Sequence, residues 1–169
     1  MRQLINLSLD PLVKDTYDEI GPFNYEALVE NDVVDVDKLR EMWDVSIMAD
    51  GSKYKGQFKR KSNIKDGIGQ IIYKDGSLFE GAFRNDDTVY GRWIFTSGYY
   101  YEGQMKYHRM HGFGVFKKFN KVIFKGRFEN GQQLGNDKKP RVYLDDISVN
   151  TKSTDAWTPI KLVHFTSKW

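Results

Sequence analysis

Tyr54-Lys55-Gly56-Gln57-Phe58 returns three times along the chain, as Phe79-Glu80-Gly81-Ala82-Phe83, Tyr101-Glu102-Gly103-Gln104-Met105 and Phe124-Lys125-Gly126-Arg127-Phe128. The central glycines stand 25, 22 and 23 residues apart, a spacing that marks a repeat architecture. A second element recurs between the copies: Gly67-Ile68-Gly69-Gln70-Ile71-Ile72-Tyr73, Val89-Tyr90-Gly91-Arg92-Trp93-Ile94-Phe95 and Gly112-Phe113-Gly114-Val115-Phe116-Lys117-Lys118. Turn dipeptides precede the first three units, as Asp50-Gly51, Asp75-Gly76 and Ser97-Gly98, with Asn120-Lys121 in the fourth place. Asp-Gly favours tight turns because both residues tolerate positive φ.

Each unit therefore reads as a two-stranded hairpin with aromatic side chains at alternate positions. Tyr54, Gly56 and Phe58 share one face with Phe79/Gly81/Phe83, Tyr101/Gly103/Met105 and Phe124/Gly126/Phe128, which predicts a shared interior on which the units stack. Glycine between two large side chains leaves room for a ring. The second strands are apolar on both faces, with Ile68, Ile72, Tyr90, Ile94, Phe113, Val115 and Phe119 opposite Ile71, Tyr73, Trp93, Phe95 and Phe116. Something must cover that second face, and both the flanking segments of the chain and a partner protein are candidates.

The pattern resembles the MORN (membrane occupation and recognition nexus) repeat family, whose units run Y-x-G-x-[WF], then G-x-G, an aromatic or apolar strand and D-G. The resemblance covers roughly residues 49–131, three units and the opening strand of a fourth. Val89 stands where a glycine is expected and Asn120-Lys121 replaces the last turn, while His111-Gly112 keeps the family's His-Gly step. Membership implies a fold more than a function, since such repeats occur in cytoskeletal and ciliary scaffolds, in membrane-junction proteins and as appendages of enzymes.

The chain has 169 residues, no cysteine and a net charge of +3. It is long enough to bury a core without staples, and thiolate metal sites and cysteine nucleophiles are excluded. No apolar run approaches the roughly 20 residues that span a bilayer. The opening residues lack the long apolar stretch of a signal peptide, so the expected location is the cytoplasm, at the cytoskeleton or cilium, with organelle import left open. Charge is unevenly spread: residues 1–50 hold 4 basic and 12 acidic side chains, residues 51–169 hold 22 and 11. Segments of opposite sign can attract one another or face different partners.

Three regions follow: an acidic N-terminal segment with short helices (1–48), MORN-like hairpin repeats (49–135) and an extended C-terminal tail (136–169). The fold class is mainly β, an elongated array of stacked hairpins. In the first region Asp10-Pro11 caps a helix that Gly21-Pro22 ends. A short turn of helix follows from Asn24 to Glu30. A third helical segment is expected from Asp35 or Asp37, because Val36, Leu39, Trp43 and Ile47 lie near one helical face. In the tail, 141–144 and 160–165 look extended.

Motifs that carry chemistry are sparse. His108-x-x-His111 lacks a third ligand nearby. Gly67-Ile68-Gly69 and Gly112-Phe113-Gly114 do not open helices as phosphate loops do, and Asp32, Asp35 and Asp37 lack the glycine and terminal glutamate of a calcium loop. No serine, histidine and acid grouping stands out. The expectation is a non-enzymatic scaffold or accessory structural subunit of a larger protein assembly, cytoskeletal or ciliary, with no cofactor or metal. It would bind its partners through a groove of the repeats and through the tails. Interface energetics favour Tyr90, Arg92, Tyr100 and Tyr107 at the groove rim as contact residues. The alternative is a peripheral membrane adaptor that meets acidic phospholipids through Lys53, Lys55 and Lys59. Nucleic-acid binding is disfavoured, because the aromatics sit in core register instead of on the lysine face.

Overall fold

A computed structural model describes residues 9–35, 37–134 and the backbone of 140–141. Two short helices, α1 (Pro11–Ile20) and α2 (Glu26–Glu30), precede a run of strands: β1 (Arg40–Ile47), β2 (Lys53–Lys59), β3 (Lys65–Ile72), β4 (Leu78–Arg84), β5 (Asp87–Ile94), β6 (Tyr99–Lys106), β7 (Arg109–Lys118), β8 (Lys121–Glu129), β9 (Gln132–Leu134) and β10 (Pro140–Arg141). Each strand pairs antiparallel with the next, so β1 to β10 form one open sheet in sequence order. The hairpins thus join edge to edge within a single sheet.

Turn chemistry sets the register. Asp50 and Asp75 each accept the backbone N–H and the hydroxyl of the serine two residues on, Ser52 and Ser77. The three turns at Met48–Ser52, Tyr73–Ser77 and Phe95–Tyr99 close with the same pair of backbone bonds. At the opposite ends Asn85-Asp86, Tyr107-His108 and Asn130-Gly131 all have positive φ, the geometry that matches the twist of two-residue hairpins. The last of the expected turns shifts by one residue, since Lys118 faces Lys121 and the turn is Phe119-Asn120.

That register brings seven glycines into one row. Gly56 faces Gly69, Gly69 faces Gly81, and the row continues through Gly91, Gly103 and Gly114 to Gly126. Rings from the first strand of each hairpin lie flat over the row: Tyr54 over Gly56 and Gly69, Phe79 over Gly81 and Gly91, Tyr101 over Gly103 and Gly114, Phe124 over Gly126. A Cβ at Gly69 would stand 2.5–2.8 Å from the Tyr54 ring. The phenolic hydroxyls of Tyr54 and Tyr101 donate to the carbonyl oxygens of Gln57 and Gln104 at 2.9 and 2.7 Å. Edge-to-face pairs, Tyr54–Phe58, Phe79–Phe83 and Phe124–Phe128, complete this first face. The rings bury one another and the glycine backbone, which is how the face forms a core with no second layer among the described residues.

Helix α1 begins as its sequence predicts. The Asp10 carboxylate accepts the Leu12 N–H at 2.9 Å, Pro11 takes the first position, and Gly21 ends the helix at φ +76°. Asn24 likewise accepts the N–H groups of Glu26 and Ala27 at the start of α2.

The helix expected from residues 35–37 onward is instead strand β1, paired with β2 from Arg40↔Lys59 to Ile47↔Lys53. Leu39, Trp43 and Ile47 are four residues apart, a spacing shared by a helix face and by one face of a strand. The unpaired edge of β2 decides between them, because its N–H and C=O groups need a ladder. Arg40 then locks the strand, its Nε 2.8 Å from the buried Asp66 carboxylate. The sheet therefore extends into the region assigned to the N-terminal flank. The C-terminal region 136–169 lies outside the described residues except for Pro140–Arg141, which pair with β9.

Candidate functional site

The second face of the sheet carries three parallel lanes. One is apolar: Ile72, Leu78, Ile94 and Tyr100, on which Val13, Tyr17 and Ile20 of α1 pack together with Leu9 and Val45. A second apolar lane, Ile68, Ala82, Val89 and Tyr90, is covered by Phe23, Tyr25, Leu28, Val33 and Val34. The N-terminal segment thus crosses the sheet and seals both lanes, which answers the need for a cover with the chain's own flank.

Between them runs a polar ladder. Register places Lys55 opposite Gln70, Gln70 opposite Glu80, Glu80 opposite Arg92 and Arg92 opposite Glu102. Lys55 Nζ lies 3.4 Å from Asp44, Gln70 Nε2 donates to Glu80 Oε1 at 2.7 Å, and Arg92 donates to Glu80 Oε2 at 2.5 and 3.2 Å. Lys117 closes the series 3.0 Å from Glu102. Arg92 and Glu80 are 3 % and 0 % exposed. Arg92 also donates to the Gly21 carbonyl at 2.8 Å, where α1 ends, and its guanidinium sits between the rings of Tyr17 and Phe23. The ladder therefore clips the N-terminal segment at its crossing point.

Four residues were expected at an exposed rim, and the structure divides them. Arg92 and Tyr100 are buried beneath the N-terminal segment, so the expectation of surface contact is corrected for both. Desolvation raises the Tyr100 hydroxyl pKa to about 12. Tyr90 is half-buried against the α2 segment, and burial raises its hydroxyl pKa as well. Tyr107 is exposed, in the tight turn with Lys106 over its ring. Of the lipid-binding lysines, Lys55 is held by Asp44 and Lys59 donates to Asn85, while Lys53 is half-buried at the start of β2.

Sequence reasoning missed the ladder, although the signal was present. The residue before each central glycine reads Lys55, Glu80, Glu102, Lys125, and the residue after each second-strand glycine reads Gln70, Arg92, Val115. Interleaved in strand order, the charged members alternate in sign across the middle of the sheet, with uncharged Gln70 and Val115 between them.

Beyond β6 the lanes continue and, among the described residues, the cover does not. Val115 faces Glu102 on one side and Lys125 on the other, Phe113 faces Arg127, and Lys117 faces Val122. Phe113, Val122 and Ile123 are 45 %, 52 % and 48 % exposed. Between Lys106 and Phe128 seven side chains are basic and none is acidic. A basic and apolar face thus adjoins lanes that elsewhere hold the chain's acidic flank. Among the described residues no three His, Asp or Glu side chains converge on a metal-sized site, and no helix is long and apolar enough to cross a membrane. Comparison with protein-family models gives no match, and comparison with curated proteins gives no significant one.

Proposed function

We propose that the chain is a non-enzymatic scaffold or accessory structural subunit of a larger protein assembly, built on MORN-like hairpin repeats and cytoskeletal or ciliary in setting. One observation carries this reading: the second sheet face is sealed by the chain's own segment over β3 to β6 and left apolar and exposed on β7 and β8. Exposed apolar clusters on a folded protein mark sites of association. The resemblance to the repeat family supplies the cytoskeletal or ciliary setting. Lipid binding through Lys53, Lys55 and Lys59 draws less support, since Lys55 is held by Asp44 and Lys59 by Asn85.

The test is the native mass of the tagged full-length protein after gentle extraction, with its companions identified by mass spectrometry. A complex of fixed stoichiometry is the expected result. A species at the monomer mass with no companion rejects the reading.

A further inference from the structure

We infer that the second face of β7 and β8 is the docking site for an acidic amphipathic helix of a partner protein, laid beside the chain's own N-terminal segment. The inference rests on the scaffold reading and adds the partner's chemistry. Three observations carry it.

The first is continuity. The lane of Ile72, Leu78, Ile94 and Tyr100 is occupied by α1 and runs on to Lys117 and Val122, and the lane of Ile68, Ala82 and Tyr90 runs on through Gln104 to Phe113 and Arg127. Chemistry that already holds a helix on this sheet is therefore repeated where the cover stops.

The second is charge. The cover that the chain supplies to itself is acidic, with Asp15, Asp18 and Glu19 on α1 beside the apolar Val13, Tyr17 and Ile20. The uncovered strands are strongly basic, with Glu129 at the end of β8 their single acid, and Lys125 and Arg127 are exposed among Phe113, Val122 and Ile123. An acidic partner is selected both by attraction and by the repulsion of basic competitors.

The third is shape. Helix α1 stands on Ile72, Leu78, Ile94 and Tyr100, and the patch adjoins that lane where Tyr100 faces Lys117. A second helix can pack beside the first on the strands that continue the sheet. The helix expected here has apolar residues at i, i+4 and i+7, as Val13, Tyr17 and Ile20 are in α1, flanked by Asp or Glu.

The experiment places a photo-crosslinking phenylalanine analogue at Phe113 or Ile123 of the full-length protein in its native extract, and sequences the crosslinked peptides. The expected product is a segment of another protein with that apolar spacing and a net negative charge. Lys125→Glu with Arg127→Glu, at two exposed positions, should keep the circular dichroism and melting of the parent and weaken the association at least about tenfold. Exchanging the partner segment's acids for lysines should restore it. Crosslinks to phospholipid, to a second copy, to residues 142–169 of the same chain or to a basic or neutral segment overturn the inference. So does an assembly that keeps its full native mass with the double variant, and in that case the scaffold reading stands. Absence of any companion overturns the scaffold reading itself.

Discussion

Arg92 shows how one side chain ties two regions together. Its guanidinium bonds the buried Glu80, reaches the Gly21 carbonyl at the end of α1 and lies between two aromatic rings. Removing one member of a buried pair strands the other charge, at a cost of about 3–5 kcal/mol. Arg92→Ala should lower stability by that amount in urea denaturation, and Glu80→Leu with Arg92→Met and Gln70→Leu, which also removes the amide that bonds Glu80, should recover most of the loss, because apolar groups need no partner. Glycine positions in the central row are constrained just as locally. Gly69→Ala would drive a methyl into the Tyr54 ring, and overpacking of this kind costs about 1–3 kcal/mol. A denaturation midpoint unchanged from the parent would show that the ring can move aside.

At the scale of elements, units one and three share a device that unit two lacks. Gln57 Oε1 accepts the Ile68 N–H at 2.9 Å and Gln104 Oε1 accepts the Phe113 N–H at 2.8 Å, each beside a glycine of positive φ, Gly67 at +108° and Gly112 at +64°. In unit two both members change together, to Ala82 and Val89, and there the Leu28 segment packs. The departure from the repeat pattern at Val89 is thus the seat for α2. Ala82→Gln with Val89→Gly should rebuild the polar device and expel α2, read as faster limited proteolysis within residues 21–35.

The turn Tyr107-His108 has φ values of +51° and +54° without Asn or Gly to favour them, and Asp87 holds both N–H groups at 2.9 and 3.0 Å. Tyr107→Asn with His108→Gly should raise stability by about 1 kcal/mol, read from denaturation midpoints. Burial lowers the His108 pKa, with Asp87 partly opposing it, and burial also lowers that of His111. A histidine whose folded pKa lies below its unfolded value binds more protons when unfolded. Its stability contribution is therefore present above the unfolded value of about pH 6.5 and is lost progressively as pH falls below it through the lower folded pKa. Denaturation midpoints should drop between pH 7.5 and 5.5, and His108→Asn, which tolerates positive φ, should flatten that drop.

At the scale of the whole molecule the sheet is a scaffold with two differently finished faces. The aromatic face closes on itself through rings laid on glycine, whereas the second face depends on a separate layer for its cover. Deleting residues 1–35 should therefore leave the β-sheet signal largely intact and expose Ile72, Leu78, Ile94 and Tyr100. The measurable result is strong binding of a hydrophobic dye and loss of solubility. A truncated protein that binds dye no better than the parent would mean that the layer contributes little to the cover.

The hairpins, the first three of their turns and the face of most rings were legible in the chain, because strand periodicity, turn dipeptides and glycine spacing are local and recur; Phe119, expected on the second face, lies in the last turn, which shifts by one residue. The short helices before them were legible for the same reason, from Asp10-Pro11, Asn24 and Gly21-Pro22. Residues 40–47 were not, since spacing by four suits a helix and a strand alike and the open edge of β2 makes the choice. Nor was the fate of Arg92 and Tyr100, expected at an exposed groove rim and instead buried by the path of residues 9–35. Period and turn chemistry determine which face a side chain points to; what lies over that face depends on segments far away in sequence, and that is settled by packing alone.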